Sequence, residues 1–238
     1  MLALYEFVKL THLLAGAIGL LLVPVPLLVK KGGVVHRRVG KLFVIAMNVA
    51  GASGLAMAAS WLVAPAVFRS STDVVSARAS GLFLGTIALI TLSAIHQLTA
   101  ATRRKRLPLP QPAWIDRALP IATALAGLVT ATTGLALGGA LLIAFGALAV
   151  FAAIGDLRFS LRPLPTRMAW WYQHMRSAMV AVIATLTAFL VFGGRRWLAG
   201  LVPPGWGWLL WIAPAVVLVP LTELWVARWA ARFGERRR

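Results

Sequence analysis

The sequence predicts an all-α fold, a polytopic membrane helix bundle with seven transmembrane helices in a single domain over residues 1–238, and three observations predict it. Residues of the AVILMFWYC class make up 60% of the chain and charged residues 13%, with a mean hydropathy of +0.84. A soluble domain carries about 25% charged residues, so this chain has too little polar surface to coat a globule in water. Second, seven apolar stretches, near 4–29, 42–67, 79–101, 118–136, 139–155, 169–192 and 207–228, suit a hydrocarbon core about 30 Å thick, which takes about 20 helical residues. Third, the loops alternate in charge, with eighteen Lys and Arg on one side and four on the other. Basic loops stay in the cytoplasm during insertion, which places the N-terminus outside and the C-terminus inside.

The first span has no basic stretch before it, since Glu6 and Lys9 offset each other, so the expectation is a retained helix rather than a cleaved leader. His12 shares a face with Gly16 and Gly19, and Pro24 and Pro26 remove backbone donors near the end. The following loop, 30–41, holds Lys30, Lys31, Arg37, Arg38 and Lys41, with His36 after Gly32 and Gly33. Basic side chains on a glycine-rich backbone suit anionic lipid headgroups or another phosphate. Asn48 lies in the second span, and His96 in the third shares a face with Thr86, Ser93 and Thr99. Only Leu137 to Gly139 separate the fourth and fifth spans, a tight hairpin, and the fourth bears a stripe of small residues, Thr123, Gly127, Thr130 and Gly134, that lets helices approach closely. In the sixth span His174 shares a face with Ser177, Ala178, Ala181 and Thr185, and the seventh carries Pro214, Pro220 and Glu223. Trp170, Trp171 and Tyr172 at the inner side, and Trp197, Trp206, Trp208 and Trp211 at the outer, form interfacial aromatic belts.

A formal charge of +18 would in a soluble chain point to nucleic acid, but these basic residues lie between apolar spans, so nucleic acid is not an expected partner. The absence of cysteine excludes disulfides, thiolate metal sites and Cys nucleophiles. No metalloprotease, nucleophile-elbow, P-loop or dinucleotide motif is present, and no catalytic residue is assigned. Glu6, Asp73, Asp116, Asp156 and Glu235 are read into loops or span ends, which leaves Glu223 as the intramembrane carboxylate.

Ionisable groups within a span are costly and mark function by default. Counting 1.5 Å per residue from the inner span ends puts Asn48, His96, His174 and Glu223 at about 8–9 Å depth, one layer in the cytoplasmic leaflet. Neutral imidazole is the one good ligand type available. The lead expectation is therefore a site for b-type haem or a divalent metal ion, with His174, His96, His36 and His12 as cofactor ligands and His174, His96 and Glu223 as metal ligands. A proton-linked small-molecule or ion transporter, in which Glu223 and His174 change charge, is the alternative. A non-catalytic assembly or lipid-binding protein using the basic loops is the third. Expected partners are the bilayer with its anionic headgroups, and a membrane partner protein or a second copy of the chain.

The run from Lys30 through His36-Arg37-Arg38-Val39-Gly40 to Lys41, preceded by His12 and Gly16, resembles a bacterial family of multi-pass membrane proteins, the domain of unknown function 2306 family. His174-Met175, Met179 and Thr187 to Val191 are similar to that family's second pattern. The resemblance covers about half the chain and implies a bacterial cytoplasmic-membrane protein. His12, His36, Gly40 and His174 match family positions, while His96 stands where the family has no histidine. No activity comes with the resemblance.

Overall fold

The computed structural model describes residues 1–68, 73–105, 111–198, 200–203 and 205–235, with residues 195 and 196 described as backbone alone. Seven helices are long and apolar enough to cross a membrane: α1 Leu2–Leu28, α2 Val34–Val63, α3 Val74–Arg103, α4 Ile115–Leu137, α5 Ala140–Leu161, α6 Ala169–Gly193 and α7 Leu209–Arg232. No strand occurs among the described residues. The chain is a multi-pass membrane protein, as the apolar periods predict. It packs as two units: residues 1–93 with 113–160, and residues 94–112 with 161–238, so that α3 runs through both.

In the first unit each helix packs antiparallel to the one before it. Along α1 and α2, Trp61 Nε1 donates to the Tyr5 hydroxyl (2.8 Å), His12 meets Ala50, and His36 meets Pro26. Leu62 O accepts from Arg78 Nε (3.1 Å), while a Cβ built on Gly51 would lie 2.7 Å from Leu92, so α2 and α3 are also antiparallel. The Thr86 and Thr130 hydroxyls bond at 2.7 Å, and Thr123 Oγ1 faces Leu89 O, which fixes the same relation for α3 and α4. The α4–α5 hairpin turns on Gly138, at φ 68°, a left-handed conformation that costs glycine nothing. The stripe of small residues is buried as read, and a Cβ on Gly127 would stand 2.7 Å from Gly146 O. Phe83 meets Phe145 edge-on (5.2 Å) and Ser93 bonds Asp156, so α3 and α5 run parallel.

In the second unit, α6 and α7 pack antiparallel, with Phe192 against Trp211 at one end and Tyr172 against Glu235 at the other. Between them Tyr172, Met175, Val226 and Ala230 form a buried cluster walled by Met168, Trp171, Trp225 and Trp229. The last turn of α6 is wider than an α-helix, since Gly194 N–H bonds back five residues to Phe189 O.

Two expectations are corrected. The basic segment 30–41 is not all loop: Gly32 takes φ 72°, Gly33 is extended, and α2 begins at Val34, so His36, Arg37, Arg38 and Lys41 ride on its first turns. Likewise Asp156 is not in a loop but lies within α5, five residues before its end at Leu161.

Candidate functional site

The four groups read as one inner layer do not stay together. With α2 starting at Val34, Asn48 lies fourteen residues from that end, about 21 Å along the axis. It is exposed on the helix surface and its Nδ2 donates to Val44 O (2.8 Å), one turn back. Its amide is satisfied locally and reaches nothing across the bundle.

In the second unit His174 does point inward, and its Nδ1 bonds Leu98 O across 2.8 Å. A carbonyl can only accept, so Nδ1 carries the proton in the neutral ring. The helices bearing His96 and His174 are thus neighbours, as a shared site requires. At 100° per residue, however, residue 96 lies about 200° around α3 from residue 98, on a different face from the one His174 meets. The Thr99 hydroxyl, from the next turn, donates to the His96 carbonyl (2.8 Å).

Glu223 is held by a guanidinium. Arg176 Nε and Nη2 hold its two carboxylate oxygens at 2.5 and 2.7 Å, a fork-on-fork ion pair between α6 and α7. Among the described residues, no three His, Asp or Glu side chains come together as a metal-ligand group. The metal set His174, His96 and Glu223 is therefore not assembled, because the guanidinium takes the carboxylate.

His12 and His36 both lie in the first unit. Nδ1 of His12 bonds Ala50 O (2.8 Å) beside the Ser53 hydroxyl (3.3 Å), and its ring packs on Gly54, where a Cβ would come within 3.1 Å of Cε1. Nδ1 of His36 bonds Pro26 O (3.2 Å). Residues 12 and 26 are about 21 Å apart along α1, so these two imidazoles belong to separate places and serve as helix bridges.

The basic segment divides by role. Pro24 and Pro26 lack N–H groups, and the end of α1 leaves carbonyls to satisfy. Lys31 Nζ caps Pro26 O and Leu27 O at 2.8 and 2.5 Å, and Arg37 Nη1 caps Gly32 O at 2.5 Å. Partial burial holds the Lys31 ammonium below its ordinary value. Lys30, Arg38 and Lys41 are exposed, as is Arg37.

At the start of α6, Glu235 closes the unit. Its carboxylate accepts from Met168 N–H (3.1 Å) and the Tyr172 hydroxyl (3.0 Å). Against a burial that raises it, hydrogen bonds from Thr166, Tyr172 and Met168 and the charge of Arg167 hold this carboxyl below the usual range.

The residues sequence reasoning passed over are Arg176 and Asp156. Each had a signal: Arg176 is the one Lys or Arg within the sixth apolar run, and Asp156 is five residues before the end of a helix that continues to Leu161. No protein-family model, curated protein or solved structure matches the chain.

Proposed function

We infer that the protein is a carrier of small organic or inorganic anions, linked to protons, in which the Arg176–Glu223 pair is the element that changes charge. The single observation that carries this reading is that bidentate pair within two membrane-spanning helices. Charges there cost several kcal/mol each unless compensated. Removing one partner leaves the other uncompensated, so the two events are linked. A proton that neutralises Glu223 releases the guanidinium, and an anion that takes Glu223's place on Arg176 restores charge balance. Neither step is favourable alone, which is coupling in the thermodynamic sense. The guanidinium fork matches carboxylate and phosphate in two hydrogen bonds, and Pro214 and Pro220 in α7, with the widened turn of α6, give both helices places to bend.

The setting of this reading is a bacterial cytoplasmic membrane, N-terminus outside and C-terminus inside, in the domain of unknown function 2306 family, with Lys30, Arg37, Arg38 and Lys41 against anionic headgroups. A second reading, b-type haem or a metal ion on His174, is favoured by the Nδ1 bond to Leu98 O, the arrangement by which ligating histidines are oriented. The third, a non-catalytic assembly protein, needs only the basic face.

Purified protein in vesicles with an entrapped pH dye separates the three, using succinate, lactate and inorganic phosphate as probes. The expected result is anion uptake with lumen acidification, lost in Glu223→Gln and Arg176→Gln while the folded yield of the charge-swapped double variant is retained. A Soret band lost in His174→Ala would overturn this in favour of the haem reading. Neither flux nor chromophore would leave the assembly reading.

A further inference from the structure

We propose that Asp156 is a second intramembrane site in this protein, a carboxyl that binds and releases a proton in partnership with the Ser93 hydroxyl. Both residues belong to the first unit, and their exchange of a proton does not require transport by α6 and α7.

Asp156 lies within α5, and its short side chain cannot reach far along the axis; Ser93 Oγ bonds its Oδ2 at 2.7 Å. Ser93 is 3% exposed and lies ten residues, about 15 Å, before the end of the 30-residue helix α3. A hydrocarbon core about 30 Å thick centred on α3 includes it. The carboxyl is thus turned toward the membrane interior and not toward the headgroups.

Glu223 is gripped by a cation, which favours the charged form alone. A hydroxyl serves both forms, because it donates to a carboxylate and accepts from a carboxylic acid. When Asp156 takes a proton, a new O–H bond forms on the carboxyl and donates to Ser93 Oγ. The serine's own proton then turns to a backbone carbonyl one turn back, as Ser53 does to Val49 O (2.6 Å) and Thr91 to Ile87 O (2.9 Å). Release reverses both movements, and the hydrogen bond between Asp156 and Ser93 is kept in both states.

The charged and titratable groups on the neighbouring elements nearest the pair are these. Arg158 follows on α5 and is exposed; Asp116 and Arg117 open α4, with Asp116 accepting from Ala113 N–H (2.7 Å) and Arg117 exposed; His96 and Arg103 follow Ser93 along α3.

The test is labelling of the intact protein in phosphatidylethanolamine and phosphatidylglycerol vesicles by a lipid-soluble carbodiimide, which reacts with neutral carboxyls in apolar surroundings, followed by peptide mass mapping. The expected result is a label on Asp156 that is absent in Asp156→Asn and falls about tenfold per pH unit above its midpoint. Ser93→Thr keeps that profile and Ser93→Ala displaces it. Because the wild-type map is itself the readout, a variant that fails to fold does not decide the matter. An Asp156 that is unlabelled at every pH, or labelled equally at every pH, overturns the proposal. Loss of anion flux with the Asp156 label intact would overturn only the carrier reading.

Discussion

Glu235 shows how much one residue past the last helix can do. Its carboxylate receives Met168 N–H and the Tyr172 hydroxyl, tying the chain after α7 to the start of α6. Since the folded carboxyl is held below its ordinary value, ionisation is more favourable in the folded state. The stabilisation it gives is fully present above about pH 4.5 and is lost as the pH falls through the folded value. Thermal unfolding in detergent micelles should therefore show a Tm that drops from about pH 7 to about pH 3 more steeply in the wild type than in Glu235→Gln. Equal slopes would remove the carboxylate from the account. This contact was not legible in the sequence, where Glu235 reads as one acid in a basic tail, because its meaning comes from a partner 67 residues away. The histidines were half legible. The inward direction of His174 followed from its face of small and polar residues. Which carbonyl each ring meets did not, because that depends on where neighbouring helices start. An error of eight residues in the start of α2 moved Asn48 out of the expected layer altogether.

At the scale of the helix, small residues were the most legible feature, since 3.6-residue periodicity turns composition directly into a packing face. Thr123, Gly127, Thr130 and Gly134 are all buried on α4. Glycine alone did not suffice as a signal, as Gly16 and Gly19 show: a Cβ on Gly19 would meet Met47 Sδ at 2.8 Å, whereas one on Gly16 meets nothing within 4 Å. Substituting alanine should separate the two cases. Gly127→Ala drives a methyl against Gly146 O (2.7 Å) and Ala149 Cβ (2.8 Å). Neither atom can move without its helix, so the α4–α5 pair should lose about 1–3 kcal/mol. Gly16→Ala enters open space and gains about 0.5–1 kcal/mol of helix propensity. Urea or guanidinium unfolding in mixed micelles reads the opposite signs, and a neutral Gly127→Ala would mean that the hairpin is looser than its contacts require.

For the molecule as a whole, orientation rests on two independent patterns that must agree. The sequence places eighteen Lys and Arg in the segments around 30–41, 102–117, 157–168 and the tail, and four in the alternate segments. Contacts within the first unit make α1 antiparallel to α2, α2 to α3 and α3 to α4, and within the second unit α6 antiparallel to α7. Odd-numbered helices thus end, and even-numbered ones begin, beside the basic segments in every pair these contacts define, which is what retention of Lys and Arg in the cytoplasm requires. Reporter fusions active on only one side of the membrane should show position 34 and the C-terminus inside and positions 70 to 77 outside. Neutralising Lys30, Arg38 and Lys41 to Gln together removes about 1 kcal/mol of attraction per residue to an anionic leaflet, screened by salt. Lys31 and Arg37 are left in place in that variant, because they cap backbone carbonyls at the end of α1 and at Gly32, and their loss would confound orientation with folding. The triple variant should retain less anionic lipid through purification, or insert in mixed orientation. An external C-terminus in the wild type would break the agreement of charge and packing, and with it the count of seven crossings, since an odd number of spans cannot return both ends to one side.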